Sequence, residues 1–221
     1  MAYHGVDHFN ARASSYEDSW SRRVFAPVHK GTLELAATLN PRPREVLDVG
    51  CGTGALLRRA AGRFPDAELV GVDPADQMIE LARTRTPVAS RARFICASAA
   101  RLPFDDDSFD LAVSTMSFGF WPRSTGLREV RRVLAPGGHL ILADLFSIGW
   151  LRRFAPAIGR RYPILPATDV EQLLEAAGFA LPQWQPVLRA GPVPLVWAVA
   201  ASKPTYISPS SLTPTRRRRF R

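Results

Sequence analysis

Apolar positions along this chain follow two alternating rhythms. Phe9, Ala13, Tyr16 and Trp20 recur at helical spacing, and a second stripe, Leu33, Leu35, Ala36 and Leu39, runs within residues 28–39 until Asn40-Pro41-Arg42-Pro43 stops it. Val46, Leu47 and Val49 then form the aliphatic run of a buried strand. It ends in Gly50, Gly52 and Gly54 and passes into helical spacing at Ala55-Leu56-Leu57-Arg58-Arg59-Ala60-Ala61. Residues 68–73 repeat the strand. Pro74, whose missing N–H costs little in a first helical turn, opens a helix with Met78, Ile79, Leu81 and Ala82 on its inner face. Further strands are expected at 92–97, 109–115 and 139–145. The last two are joined by a helix carrying Leu127, Val130, Val133 and Leu134 opposite Arg128, Arg131 and Arg132, with Pro136-Gly137-Gly138 as its stop. Thr168-Asp169-Val170-Glu171 reads as a capping box opening a helix that ends at Gly178, and strands at 179–188 and 195–201 follow. Strands alternating with helices imply an α/β fold whose parallel sheet is covered on both faces.

At 221 residues and 46% hydrophobic, the chain suits one such domain; a second would be cramped. Two cysteines, Cys51 and Cys96, make neither a disulfide framework nor a metal-ligand spacing, so no structural metal and a reducing compartment are expected. The start of the chain lacks a charged segment followed by an apolar one, and no run approaches the roughly 18 apolar residues of a membrane span. A soluble, cytoplasmic protein is the expectation, as a monomer or homodimer. The net charge of +9 is concentrated at one end: removing the five arginines Arg216 to Arg219 and Arg221 leaves +4. Residues 204–221, rich in Pro, Ser and Thr before these arginines, read as a disordered basic tail. A solvated end is the favoured reading, and RNA or anionic-membrane contact the alternative.

A strand, a glycine turn and a helix N-terminus make a nucleotide-type site. Taken narrowly, Gly50-x-Gly52-x-x-Ala55, with Asp73 lying 19 residues beyond Gly54, also fits a dinucleotide fingerprint, so an NAD(P)-dependent oxidoreductase is one reading. The fuller set is Asp48-x-Gly50-x-Gly52-x-Gly54, then Asp73, then Leu102-Pro103-Phe104-Asp105-Asp106-Asp107-Ser108-Phe109-Asp110, then Arg132-Val133-Leu134-Ala135-Pro136-Gly137-Gly138. In this order and spacing the blocks resemble the class I S-adenosylmethionine-dependent methyltransferases. The nearest group is the branch (methyltransferase type 11 domain) that includes the ubiquinone, menaquinone and biotin-pathway enzymes.

The resemblance covers roughly residues 9–145 and implies a Rossmann-like, seven-stranded, mostly parallel sheet with helices on both faces. It implies methyl transfer from S-adenosyl-L-methionine to an O, N or C nucleophile of a small molecule. Residues 1–40 would cap the cofactor and 41–203 would form the catalytic domain, with a lid-like insert at 146–166. The cofactor contacts it implies fall on Tyr16, Asp48, Gly50, Gly52, Gly54, Asp73, Pro74, Met78, Ser98, Ala99 and Ser114. Asp73 would accept both ribose hydroxyls, a task suited to a group with two acceptor oxygens and no donor. At Ala97-Ser98-Ala99 the family usually has Gly-Asp-Ala, so Ser98 stands where an aspartate would accept from the adenine amino group.

Other residues admit two readings. Asp105-Asp106-Asp107 reads as a solvated turn rather than a magnesium site, because hard-cation sites need converging oxygens. His139, at a strand start, reads as surface polar. Phe118, Phe120 and Trp121, with Trp150, Phe154 and Tyr162 in the insert, are either core or a lid over an apolar or aromatic acceptor. No residue declares itself a general base; His8, His29 and Asp144 are the candidates. A non-catalytic S-adenosylmethionine- or RNA-binding role is a further alternative.

Overall fold

In a computed structural model, which describes residues 5–16, 19–87, 90–148 and 164–205, the strands expected from the apolar runs assemble into one seven-stranded sheet. They are β1 (Glu45–Val49), β2 (Glu68–Asp73), β3 (Ala92–Cys96), β4 (Phe109–Thr115), β5 (Leu134–Asp144), β8 (Ala180–Ala190) and β9 (Val193–Ser202). Their order is β3-β2-β1-β4-β5-β9-β8. Only β9 runs against its two neighbours, so the sheet is mostly parallel and ends in a hairpin. Two short segments, β6 (Phe146–Ser147) and β7 (Leu165–Pro166), pair in parallel as a separate ribbon.

Alternation along the strands divides the core into two layers. Val46, Leu111, Val113 and Ile141 pack on one side, with α2 (Ser19–Leu39) and α3 (Ala55–Arg63). Leu47, Val49, Ala112 and Leu140 pack on the other, with α5 (Arg123–Val133) and α6 (Ala167–Ala176). The chain order reverses between β1 and β4, so the crevice of a doubly wound sheet opens at their carboxyl ends. Over it lies the N-terminal segment, α1 (Val6–Arg12) and a 3₁₀ turn (Ala13–Ser15). Ala13 there packs on Ala75 and on Met78 of α4 (Asp76–Arg85).

Four local expectations are corrected. The first helical stripe ends at Arg12, where Ser15 Oγ donates to the Arg12 carbonyl at 3.3 Å, a side-chain bond that competes with helix continuation. The second helix is longer than its stripe and runs through Pro27. Pro136-Gly137-Gly138 does not precede the fifth strand but lies within β5. Gly137 N–H donates to the Lys203 carbonyl at 2.8 Å, and Lys203 N–H donates back to Gly138 at 2.9 Å. The capping box does not form: α6 starts at Ala167, Thr168 Oγ1 donates to the Asp169 carboxylate, and Glu171 instead accepts from Trp184 Nε1 at 2.7 Å. Gly178 does end α6, at φ +80°, with Phe179 N–H donating to the Leu174 carbonyl at 3.0 Å.

The acidic turn is held by protein cations. Arg132 donates to the carbonyls of Leu102 and Phe104 and to the carboxylates of Asp106 and Glu129, at 2.7 to 3.0 Å. Lys203 Nζ donates to Asp107 at 2.6 Å and to the Leu134 carbonyl at 2.7 Å. Among the described residues, no group of three or more His, Cys, Asp or Glu side chains is placed to hold a metal ion, and no helix is long and apolar enough to cross a membrane.

Candidate functional site

At the end of β1 the chain turns over the end of β2. The N–H groups of Gly50 and Cys51 both donate to the Val72 carbonyl, at 2.8 and 3.0 Å. Gly50 has φ +77°, and a Cβ there would overlap Ser117 Oγ, so the side chain is excluded by both conformation and space. Ser117 occupies that space because its hydroxyl donates to the Val49 carbonyl at 3.0 Å and pairs with Ser114 Oγ at 2.7 Å. Gly54 caps α3 at φ +78°, and a Cβ there would lie 2.8 Å from the Phe94 ring.

Asp73, at the end of β2, is tied to the loop. Its Oδ2 accepts from Gly52 N–H at 3.0 Å and its Oδ1 from Ala75 N–H at 2.9 Å. Burial raises its pKa, and these two backbone donors pull it back. With one donor to each oxygen, the carboxylate retains further acceptor capacity, and the residue lines the cavity.

Above the loop is a cavity of about 390 Å³. Of the residues expected at the cofactor, Tyr16, Gly50, Gly52, Asp73, Pro74, Met78 and Ala99 line it; Asp48, Gly54, Ser98 and Ser114 do not. Gly54 is turned towards Phe94, and Ser114 is a buried support for Ser117. Ser98 Oγ accepts from Ala100 N–H at 3.1 Å, closing a tight turn of its own, and the residue borders an adjoining hollow shared with Arg101 and Phe104. Asp48 is 1% exposed beneath the loop, and neither of its oxygens has a hydrogen-bond partner among the described residues. Burial, then the neighbouring Asp73 charge, pushes its pKa up to about 8. Burial, then the neighbouring Asp48 and Asp73, raise the Cys51 thiol well above its usual range, which leaves it an unreactive neutral group.

The other half of the cavity is aromatic. The Tyr16 ring stacks on Phe25 with centroids 5.9 Å apart, Phe25 stacks on His29 at 6.4 Å, and Phe9 meets Phe120 edge-on at 5.2 Å. Trp121 completes this wall, its Nε1 donating to Ser117 Oγ at 3.3 Å, whereas Phe118 is turned into the core against Phe146. Met116 lines the same part at φ +53°, a sparsely populated conformation for a residue with a side chain. Burial, then Asp73, pushes the Tyr16 hydroxyl up to about 12, so at neutral pH it is a hydrogen-bond donor.

Of the three base candidates, His29 lines the cavity while His8 and Asp144 do not. His8 is exposed on α1, and Asp144 accepts from the N–H groups of Leu145 at 2.7 Å and Gly119 at 3.4 Å. His139 is half-buried at the far end of the sheet, opposite Ser202, where burial lowers its pKa. Trp150, Phe154 and Tyr162, and residues 206–221 of the basic tail, lie outside the described residues.

Ser117, Phe25, Arg58, Arg59 and Met116 line the cavity without having been singled out in the sequence. The spacing of four between Phe25 and His29 on α2 was the one readable signal, since it places both on one helix face.

A phosphate- or ribose-sized approach to bare backbone, at the switch point of a doubly wound sheet, defines a Rossmann-like nucleotide-cofactor fold. Residues 46–138 match the family described as "Methyltransferase domain". That match, with the relatives below, supports a class I S-adenosylmethionine-dependent methyltransferase similar to the menaquinone and malonyl-[acyl-carrier protein] enzymes. It is 40% identical over 131 residues to a demethylmenaquinone methyltransferase of Deinococcus radiodurans, a match covering 58% of this chain and 54% of the relative. It is also 40% identical over 137 residues to a malonyl-[acyl-carrier protein] O-methyltransferase of Halorhodospira halophila, covering 61% and 45%. The chain thus spans about half the length of these curated relatives. The same fold occurs in the 1,6-didemethyltoxoflavin-N1-methyltransferase of Burkholderia thailandensis, solved with S-adenosylhomocysteine bound. The TM-score is 0.69 at 20% identity, covering 92% of this chain and 91% of that one.

Proposed function

We propose that this protein moves a methyl group from S-adenosylmethionine to an O, N or C nucleophile on a small apolar or aromatic molecule. The observation that carries the reading is the division of one cavity into two halves, the glycine loop with Asp73 on one side and the Phe9, Phe25, Phe120 and Trp121 wall on the other. Gly50 and Gly52 let the methionine portion lie against backbone, and the Asp73 carboxylate accepts from the ribose. The sulfonium, when bound, supplies an already activated methyl group. The chain's task is then to hold the acceptor in line and to exclude water, and orientation alone can supply effective molarities on the order of 10⁵ M.

The α1 segment roofs the cavity, with Tyr16 closing over the cofactor. The described ends of the 146–166 insert pair as the β6–β7 ribbon. His29 is the side chain in the cavity suited to take a proton from an acceptor that must lose one.

Calorimetry with S-adenosylmethionine and S-adenosylhomocysteine tests the cofactor, and a methyl-labelled cofactor incubated with a metabolite extract, followed by mass identification, tests the acceptor. Binding of a nicotinamide dinucleotide in place of both sulfur ligands would overturn the reading.

A further inference from the structure

Beside the glycine loop two neighbouring strands part, and one hydroxyl bridges the gap. The β1–β4 ladder ends where Asp48 faces Val113, whereas β4 stays paired with β5 as far as Thr115 and Ala143. Past that point β4 offers the Val49 carbonyl no ladder partner. Ser117 Oγ takes the place of one, donating to that carbonyl at 3.0 Å. It arrives through a strained step. Met116, whose N–H still donates to the Ala143 carbonyl at 2.8 Å, has φ +53°, a conformation that persists only where the surroundings impose it.

The hydroxyl is then used to capacity. A serine oxygen has one proton and two lone pairs. With its proton on Val49, Ser117 must accept from Ser114 Oγ at 2.7 Å, and its second lone pair accepts from Trp121 Nε1 at 3.3 Å. Ser114 is 1% and Trp121 7% exposed, so water has little access to replace these bonds. The 3₁₀ turn Phe118–Phe120 leads from Ser117 to Trp121, closed by Phe120 N–H on the Ser117 carbonyl at 3.0 Å. One oxygen atom therefore touches both the last carbonyl before Gly50 and the indole of the aromatic wall.

We propose that Ser117 is the positioning residue that holds the aromatic wall in register with the glycine loop, so that a ligand lying on the loop is sensed at Trp121 through this hydroxyl. The proposal rests on the methyl-transfer reading above, in which the loop takes the donor and the wall takes the acceptor. Misplacing two reacting groups by about 1 Å can cost on the order of a hundredfold in rate, so the spacing of their supports matters as much as either support. Ser117 acts on that spacing and not on the reacting atoms.

The test follows the Trp121 indole N–H by NMR. The five tryptophans give five such signals in a ¹⁵N-labelled protein, and Trp121→Phe identifies the one that belongs to Trp121. In the free protein, Ser117→Ala should move this signal upfield, because the N–H loses its acceptor. S-adenosylhomocysteine should shift it in the wild type, Ser117→Ala should lose most of that shift, and Ser117→Thr, which keeps the hydroxyl, should restore it. By calorimetry, Ser117→Ala and Trp121→Phe should each weaken S-adenosylhomocysteine about twofold to tenfold, the net contribution of one hydrogen bond. The double variant should lose no more than the larger single loss, since both substitutions break the same link. A residue that only stabilises the fold would lower the melting temperature of Ser117→Ala and leave the ligand-induced Trp121 shift as in the wild type. That result, or additive losses in the double variant, overturns the proposal. A substitution-free reading comes from the wild type, where exchange of the Trp121 indole proton with solvent should slow when the ligand binds; unchanged exchange overturns the proposal as well. If the wild type binds neither S-adenosylmethionine nor S-adenosylhomocysteine, the methyl-transfer reading falls and the proposal with it, an outcome seen before any substitution is made.

Discussion

The Gly52 amide donates to Asp73 Oδ2 at 3.0 Å, so the carboxylate expected to hold a ribose also sets the shape of the loop expected to hold the methionine portion. Replacing Asp73 by Ala removes both tasks at once. A hydrogen bond to a charged group contributes about 1.5–3 kcal/mol, so calorimetry should show S-adenosylmethionine binding weakened at least about tenfold. Unaltered binding would remove Asp73 from the site. Asp73→Asn, which can still accept from one of the two amides, should fall between the two.

Gly50→Ala places a methyl group where Ser117 Oγ sits and forces an alanine to φ +77°. The left-handed conformation alone costs about 1–2 kcal/mol. For a chain of this size that lowers the melting temperature by several degrees, about 2–4 °C per kcal/mol. Adding Ser117→Gly should recover the steric part and leave the conformational part, which thermal melts of Gly50→Ala, Ser117→Gly and the double variant would separate.

Arg132 joins the acidic turn to α5 through two carbonyls and two carboxylates. Arg132→Met leaves those carbonyls without a donor, at about 1–3 kcal/mol for each one that water cannot reach. A drop in melting temperature with cofactor affinity retained is the expected result.

The same side chain makes part of the stability pH-dependent. The hydrogen bond from Arg132 holds the Glu129 carboxyl below its usual range. A depressed folded-state pKa contributes stability that is fully present above the unfolded value, about 4.3, and is lost as pH falls through the folded one. Melts between pH 3 and 7 should therefore show an acid limb that is shallower in Arg132→Met. An unchanged limb would mean that Glu129 is not the group responsible.

Chelation separates the two readings of Asp105-Asp106-Asp107. Because Asp106 is paired with Arg132 and Asp107 with Lys203, EDTA should leave both melting temperature and cofactor affinity unchanged. Magnesium-dependent binding would reverse this assignment.

What the residues determined by themselves was the sheet and the identity of the loop. Period-two and helical apolar patterns are local consequences of side-chain direction, and glycines at alternate positions after a strand, with an acid ending the next one, declare a bare backbone edge. Strand ends moved by only a few residues, mostly where Pro136-Gly137-Gly138 paired with Lys203 instead of stopping a helix. Tertiary structure decided which side chains meet over that edge. Ser98 turned to its own backbone because a hydroxyl is long enough to bond Ala100 N–H and too short to do more. Phe25 and His29 came to the cavity because α2 packs across the sheet on that side. Asp48, one strand position from Val49, was shut beneath the loop, since a strand sends neighbours to opposite faces and the helices then close over both. Its protonation depends on what is packed around it, which no local pattern of residues encodes.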